Sequence, residues 1–360
     1  MNLDELFAQP MTESSEDKYA SSVSAAAQVK KNKYHLLHRY GNVTSYSTQQ
    51  ALFACPRLFM INKMSMNQQV EQDLPEHRYA NVTFAFGHAV GAGVAVLDEG
   101  KSLEEAILAT FLAWDIDLFS VERKNYKGKV LETGKSFHEA VWAVMAYKEF
   151  RESELDEEVS ILDYECVDVE GEILVDFENG HFYTGHIDSV LRSRTTGRLK
   201  IKENKTDGSA VIDPTKYANS EQALSYAVVA QQFGEMEFDV LYTVYSVKEM
   251  RWVWFEFPKY TVHKAEWIQD QLLIGNQIDN YAEVKLFPKR GSACMRFNRQ
   301  CDMFQRCDVT AQKAFGKEYQ ELPQATKEDL LAIEDFKYNV CVSDIVKSLQ
   351  QEAASTYGEM

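Results

Sequence analysis

The segment VSILDYECVDVEGEILVDFENGHFYTGHIDSVLRSRTTGRLKIKENKT, residues 159–206, carries the clearest structural pattern in this chain. Apolar and polar residues alternate along it, and short Gly-containing stretches interrupt the alternation at 170–172, 178–180 and 195–198. A period of two residues is typical of half-buried strands, and Gly and Asn favour the turns between them. The segment therefore predicts three or four antiparallel strands.

Helical patterns flank these strands on both sides. Before them, a helix of small residues is expected over 87–97, and apolar residues recur with helical spacing over 134–152. After them, 219–234 predicts a helix and 262–284 a longer amphipathic one, with a further strand pair between the two. We therefore predict an α/β (α+β) fold, in which a mixed central β-sheet is flanked by helices, with a helical N-terminal part and a helical C-terminal tail.

Composition divides the chain into three regions. Residues 1–33 are rich in Ser, Ala, Lys and Glu and predict a disordered segment. Residues 34–310 are expected to form one folded domain, and 311–360 an acidic helical tail. The longest apolar runs, such as 89–97, are too short to span a bilayer, and the N-terminus lacks the pattern of a secretory signal. We expect a cytoplasmic protein with no membrane association.

The formal net charge of the chain is −17 at pH 7. This value excludes a surface covered with phosphate-binding residues. A local basic groove can nevertheless coexist with an acidic exterior, and Lys and Arg are concentrated at 121–129, 192–205 and 285–306. The charge is therefore compatible with an enzyme that acts on nucleic acid.

Two carboxylates and a lysine lie on the strands around the turn at 195–198. Antiparallel pairing can bring Asp188 and Glu203 together on one face, and Lys205 leaves the same face as Glu203. The two carboxylates and the backbone carbonyl of Asn204 form an all-oxygen ligand set, which Mg²⁺ or Mn²⁺ prefers. Such an ion activates water, and Lys205 would orient that water or stabilise developing charge. The alternative is a solvated hairpin with a cross-strand salt bridge.

The helix after these strands contributes two further polar residues. Gln222 and Tyr226 are four positions apart and therefore share one helical face, from which both can reach a phosphate or a base. The chain thus presents, in order, a strand with Asp, a strand with Glu-x-Lys and a helix with Gln-x-x-x-Tyr.

This order of motifs resembles the RecB-like, CRISPR-associated-type branch of the PD-(D/E)XK nuclease superfamily. The segments GHID, ENKT and NSEQALSYAVV are most similar to its phage-encoded members, and the resemblance covers residues 45 to about 310. It implies a restriction-endonuclease-like core within 34–310. It also implies that Asp188 and Glu203 are metal ligands and that Lys205 is the catalytic lysine. Gln222 and Tyr226 would form the helical motif beside the site.

The family usually carries a histidine metal ligand four residues after a helical Gly. Here Gly87 is followed at once by His88, and Gly91 occupies the position of the family's histidine. His88 is the candidate ligand if the register differs, and His186, two residues before Asp188, is a second candidate. A structural role is the alternative for either histidine.

Four cysteines divide between the two ends of the predicted domain. Iron–sulfur members of the same branch bind one [4Fe–4S] cluster through one Cys before the core and three after it. The resemblance therefore implies a cluster on Cys55, Cys294, Cys301 and Cys307. Structural Zn²⁺ on the same thiolates and four unliganded thiols are the alternatives. Cys166 and Cys341 are interpreted as buried or incidental thiols.

The resemblance implies a Mg²⁺- or Mn²⁺-dependent deoxyribonuclease, more an exonuclease than an endonuclease, that acts on DNA ends or single strands. Its partners would be DNA and proteins of recombination or replication. The alternative is a nuclease fold with weak catalysis that serves as a DNA-binding or partner-binding factor.

Overall fold

The structure is a computed structural model that describes residues 34–357 apart from 73–81, 121–122, 127–128, 133, 157–158, 219, 235, 297–298, 302, 305–306 and 308–315. The predicted disordered segment, residues 1–33, lies outside the described residues.

Helices and strands alternate along the chain. The helices are α1 (Tyr34–His38), α2 (Tyr46–Ala54), α3 (Pro56–Glu71), α4 (Val82–Asp98), α5 (Leu103–Ala113), α6 (Phe137–Glu152), α7 (Thr215–Ala218), α8 (Glu221–Ala230), α9 (Thr261–Glu283), α10 (Lys327–Ile333) and α11 (Val342–Tyr357). The strands are β1 (Val43–Thr44), β2 (Arg123–Tyr126), β3 (Lys129–Glu132), β4 (Glu154–Asp156), β5 (Val159–Ser160), β6 (Tyr164–Asp176), β7 (Phe182–Ser193), β8 (Leu199–Asp207), β9 (Met236–Ser246), β10 (Arg251–Pro258), β11 (Met295–Arg296), β12 (Arg299–Gln300) and β13 (Tyr338–Cys341).

Among the described residues, a seven-stranded mixed sheet forms the centre of the fold. Its order is β10-β9-β8-β7-β6-β13, and the short strand β1 pairs with β7. Strands β6, β7 and β8 form an antiparallel meander, whereas β9 lies parallel to β8 and is reached through α8. The predicted α/β class, with a mixed central sheet flanked by helices, is confirmed. The finer expectation of a restriction-endonuclease-like core stays a prediction.

The three antiparallel strands form within the predicted segment, but they contain runs of buried residues in place of the expected half-buried alternation, because helices cover both faces of the sheet. Gly180 and Gly197 have positive φ angles in the two turns that separate the strands, a conformation that glycine adopts without strain. The stretch 170–172 does not form a turn, because β6 continues through it. Glu170 has a φ of 49° within the strand, and the register with β7 shifts between Cys166 and Asp168. The segment therefore contains three long strands.

Helices cover both faces of the sheet. Helices α8, α9 and α11 enclose one core, which includes Ile201, Tyr226 and Trp267. Helices α4, α5 and α6 enclose a second core on the other face, with Phe86 and Trp252 among its buried residues. The two faces of β8 consequently meet different sets of helices, and this separation decides which side chains can share a site.

The C-terminal segment contributes a strand to the central sheet. Residues 311–360 contain the predicted helices, α10 and α11, and in addition β13, which pairs in parallel with β6. Ile345 and Leu349 of α11 are buried in the same core as α8 and α9. The sequence pattern does not predict this strand, since four residues carry little periodic signal. The segment is structurally part of the sheet and not an appendage to it.

The N-terminal helices pack against the region that follows α9. Phe59 and Met60 of α3 share a buried cluster with Phe287 and Tyr319. Ser45 caps α2 through its side chain. In the part of the chain that the structure describes, no helix combines the length and apolar character needed to cross a membrane.

Candidate active site

The antiparallel pairing of β7 and β8 brings Asp188 and Glu203 together. The paired register ends at Ser189 and Lys202, so Asp188 and Glu203 are the next residues on each strand, where the strands begin to separate. The backbone N–H of Asn204 donates a hydrogen bond to Asp188 Oδ2 at 2.7 Å. The two carboxylates are therefore held at the open end of the hairpin.

Lys205 links this pair of carboxylates to helix α8. Its Nζ donates to Glu203 Oε1 and, at 3.0 Å, to Gln222 Oε1. Gln222 Nε2 in turn donates to the hydroxyl of Tyr226 at 2.9 Å. The ring of Tyr226 lies against Gly185 of β7, where an added Cβ would be only 3.1 Å from Tyr226 Cε1. All five residues named by the motifs thus belong to one constellation.

Burial raises the proton affinity of both carboxylates. Glu203 is fully buried, and this burial, together with the charge of Asp188, raises its pKa from 4.5 to about 7. Burial also raises the pKa of Asp188, although the positive charge of Lys205 and the Asn204 N–H oppose it. For Lys205 burial alone would lower the pKa, but the charges of Glu203 and Asp188 outweigh it and raise the pKa. The site therefore places two poorly solvated carboxyl groups beside one ammonium group.

One carboxylate oxygen of this site lacks a hydrogen-bond partner among the described residues. Glu203 Oε2 is buried and has no hydrogen-bond partner among the described residues. An unsatisfied buried carboxylate oxygen is costly, and a cation beside Asp188 would satisfy it. Because Asn204 uses its side-chain Oδ1 to accept from Thr243 Oγ1 at 2.6 Å, its backbone carbonyl is the atom that would act as a ligand. This oxygen donor set fits Mg²⁺ or Mn²⁺.

The described residues contain no group of three or more His, Cys, Asp or Glu side chains arranged around a common metal position. The protein would thus supply two carboxylates and one carbonyl, and water and substrate the other ligands. Mg²⁺ sites in proteins commonly have this composition, since the ion retains several waters.

Both candidate histidines are exposed. His88 is exposed on α4, and the neighbouring Gly87 faces Thr206 of β8, on the face opposite α8. An added Cβ at Gly91 would meet no atom within 4 Å. His186 is exposed on β7, and its charge contributes to lowering the pKa of buried His38, behind burial itself and Lys63. None of the contacts described for Glu203 or Asp188 involves either residue. The metal role expected for His88 stays a prediction.

Two residues near the site were not singled out by sequence. Tyr46, at the start of α2, is half-buried, and burial with the charges of Glu221 and Glu203 raises its pKa against the opposing charge of Lys205. Asp98, at the end of α4, is buried behind the two strands and contacts both of them. Neither residue stands in a motif, so no local signal marks it.

Of the four cysteines, Cys55 and Cys301 lie close enough to Cys307 to affect its pKa, but no three of the four described thiols surround a common metal position. Cys55 is buried at the start of α3 and accepts a hydrogen bond from the Arg290 N–H at 3.5 Å. The Cys301 N–H donates to the Cys294 carbonyl at 2.9 Å. Burial raises the pKa of Cys307, and the neighbouring thiols of Cys55 and Cys301 add to this effect. Thiolates are suitable ligands for an iron–sulfur cluster or zinc, and the cluster on these four residues stays a prediction.

The remaining cysteines lie on the central sheet. Cys166 is on β6, where burial raises the pKa of its thiol to about 12. Cys341 is on β13, and its Sγ accepts a hydrogen bond from Lys327 Nζ at 3.3 Å. All six cysteines are unpaired thiols.

No protein-family model matches this chain, and no curated protein is similar to it in sequence. The function is therefore proposed from the residues of the site and their geometry.

Proposed function

We propose that the protein is a metal-dependent deoxyribonuclease that hydrolyses phosphodiester bonds. The observation that carries this proposal is the buried Oε2 of Glu203, which has no hydrogen-bond partner among the described residues. The same side chain interacts electrostatically with Asp188 and Lys205. Glu203 is buried and Asp188 is half-buried, and a bound cation would offset the desolvation that raises the pKa of both carboxyls. A structural salt bridge alone leaves that oxygen unsatisfied.

The ligands of the ion would be Asp188, Glu203 and the carbonyl of Asn204. When bound, Mg²⁺ or Mn²⁺ supplies a Lewis acid that activates water and neutralises charge on the phosphate. The rest of the chemistry depends on Lys205, whose ammonium group has three donors. Two of them are directed at Glu203 and Gln222, which leaves the third for a phosphate oxygen of the substrate.

Gln222 and Tyr226 hold this ammonium group in place. Because Tyr226 is buried and its hydroxyl accepts from Gln222 Nε2, the amide of Gln222 is oriented with its oxygen toward Lys205. The helix therefore determines the direction of the lysine without touching the carboxylates. Such a fixed donor stabilises charge that develops during the reaction at no cost in reorganisation.

Single substitutions at the site test the nuclease proposal directly. Asp188→Ala, Glu203→Ala and Lys205→Ala should each reduce Mn²⁺-dependent degradation of labelled DNA by at least about 100-fold, with unchanged far-UV circular dichroism. Lys216→Ala is the matched control, since Lys216 forms an exposed ion pair with Asp207 at the end of the same strand. If all three site variants degrade DNA as the parent does, the catalytic site is wrong.

A preference for DNA ends or single strands is the finer part of this proposal and rests on the resemblance. It is tested with three labelled substrates of equal length: linear duplex, covalently closed duplex and single strand. Degradation of linear and single-stranded DNA with survival of the closed circle is expected. Cleavage of the closed circle at the same rate identifies an endonuclease instead.

We also propose that Cys55, Cys294, Cys301 and Cys307 hold a [4Fe–4S] cluster, with structural zinc as the alternative. The approach of Cys55, Cys301 and Cys307 supports this proposal. Protein purified without oxygen should be brown and contain iron and sulfide, and Cys301→Ser should lose both. Cys341→Ser is the control, because Cys341 lies on the central sheet. Colourless protein that contains zinc selects the alternative.

The second candidate function is a DNA-binding or partner-binding factor with weak hydrolysis. It is favoured by the exposed position of His88, which lies on the sheet face opposite α8, and by the net charge of −17. DNA binding in Ca²⁺ without degradation in Mn²⁺ would support this candidate over the nuclease.

A further inference from the structure

A buried carboxylate on the opposite face of the sheet contacts both metal-ligand strands. Asp98, the last residue of α4, accepts a hydrogen bond at Oδ2 from Ser189 Oγ at 2.9 Å and a second at the same oxygen from Lys202 Nζ. Its other oxygen, Oδ1, accepts from the hydroxyl of Tyr147 at 2.7 Å. The side chain of Lys202 is 0% exposed and that of Asp98 is 1% exposed.

The two strand residues that Asp98 contacts are the direct neighbours of the candidate metal ligands. Ser189 follows Asp188 on β7, and Lys202 precedes Glu203 on β8. Ser189 and Lys202 are also partners in the strand register, and the described pairing of β7 with β8 ends at them. A single oxygen atom of Asp98 therefore joins the two strands at the last paired position before the carboxylates.

We propose that Asp98 is a positioning residue that fixes the separation of the Asp188 and Glu203 carboxylates for metal binding. The inference rests on the proposed function of that site. Two like charges at the open end of a hairpin repel each other and favour separation of the strands. A buried ionic network in which both oxygens of Asp98 accept hydrogen bonds resists such a displacement, because moving either strand would break a buried, charge-assisted bond.

The two oxygens of Asp98 allow this role to be separated from simple stability. Ser189→Ala removes the bond from β7 to Oδ2 and leaves the pair of Lys202 and Asp98 intact. Tyr147→Phe removes a bond of similar length to Oδ1, which does not join the strands. Each variant removes one buried hydroxyl that donates a hydrogen bond to the Asp98 carboxylate. The two variants should therefore lose similar amounts of folding stability.

The measurement is the affinity for Mn²⁺ in the absence of DNA, followed by the electron paramagnetic resonance signal of the free ion. Loss of a residue that supports metal ligands typically lowers metal affinity 10- to 100-fold, and we expect Ser189→Ala to weaken Mn²⁺ binding about 10-fold. Tyr147→Phe should remain within about twofold of the parent in this affinity. Asp98→Asn, which keeps the shape but removes the charge, should weaken binding at least as much as Ser189→Ala, provided that its circular dichroism shows a folded protein.

The outcomes separate this inference from the nuclease proposal. Equal Mn²⁺ affinity in the parent, Ser189→Ala and Asp98→Asn would overturn the positioning role while leaving the metal site in place. Equal losses in Ser189→Ala and Tyr147→Phe would also overturn it, because they would indicate a general loss of stability. A parent protein that binds no Mn²⁺ and degrades no DNA would refute the proposed function itself.

Discussion

Replacing Glu203 by Gln in the metal-free protein tests the electrostatics of the site. Glu203 is buried, and its pKa is raised from 4.5 to about 7. Between these values the folded state binds a proton that the unfolded state does not. The stability contributed by the raised pKa is therefore fully present below pH 4.5 and is lost as the pH rises through about 7. At about 1.4 kcal/mol per pH unit, the loss amounts to about 3 kcal/mol.

The assay is urea denaturation of the parent and of Glu203→Gln in the presence of a chelator at pH 5 and pH 8. Comparing the two proteins removes the titration of most other groups. Relative to the variant, the parent should lose about 2 to 3 kcal/mol of unfolding free energy between the two pH values. Adding Mg²⁺ at pH 8 should restore stability to the parent and not to the variant. A parent–variant difference that is the same at both pH values would refute the raised pKa and the buried charge.

Three further predictions concern the packing around the site. Gly93→Ala should destabilise the protein by about 2 kcal/mol in the urea assay, because the added Cβ would lie 2.4 and 2.5 Å from side-chain atoms of α5 and α6. Gly91→Ala is the control on the same helix. Its added Cβ meets nothing within 4 Å, so this variant should stabilise the protein by up to about 1 kcal/mol. Deletion of 338–360 should abolish cooperative thermal unfolding and give aggregates on gel filtration, since it uncovers the edge of β6 and one core; a monomer that unfolds cooperatively contradicts this. Tyr226→Phe should slow DNA hydrolysis about fivefold without changing circular dichroism, because the amide of Gln222 loses a hydrogen bond worth about 1 kcal/mol; full activity would show that this bond is dispensable.

The hairpin and the helix after it were predictable because their signals are local. Alternating residues over 182–207 predicted strands that bring Asp188 and Glu203 together, and the spacing of Gln222 and Tyr226 predicted a shared helical face. The structure has both arrangements. Neighbouring positions in the chain are sufficient for such patterns, because the pleat of a strand and the turn of a helix repeat within a few residues.

Long-range contacts had no such signal. Strand β13 pairs with β6, and most of the C-terminal half of the chain lies between the two strands in sequence. The four residues of β13 are too few to show a pattern of apolar and polar residues. Asp98 stands in no motif at the end of a helix of small residues, and its partners Ser189 and Lys202 lie 91 and 104 positions away. A contact of this kind depends on which face of the sheet a helix covers, and a sequence pattern within one element does not specify that choice.

The sequence alone thus identifies the strands, the helix and the order of the polar residues, because these depend on short-range periodicity. The three-dimensional arrangement is needed to know that Glu203 is buried with an oxygen left unsatisfied and that His88 is exposed. It is also needed to know that one oxygen of Asp98 joins the two ligand strands. Burial, charge interactions and proton affinity are properties of the packed surroundings of a side chain, and those surroundings exist only after distant segments have come together.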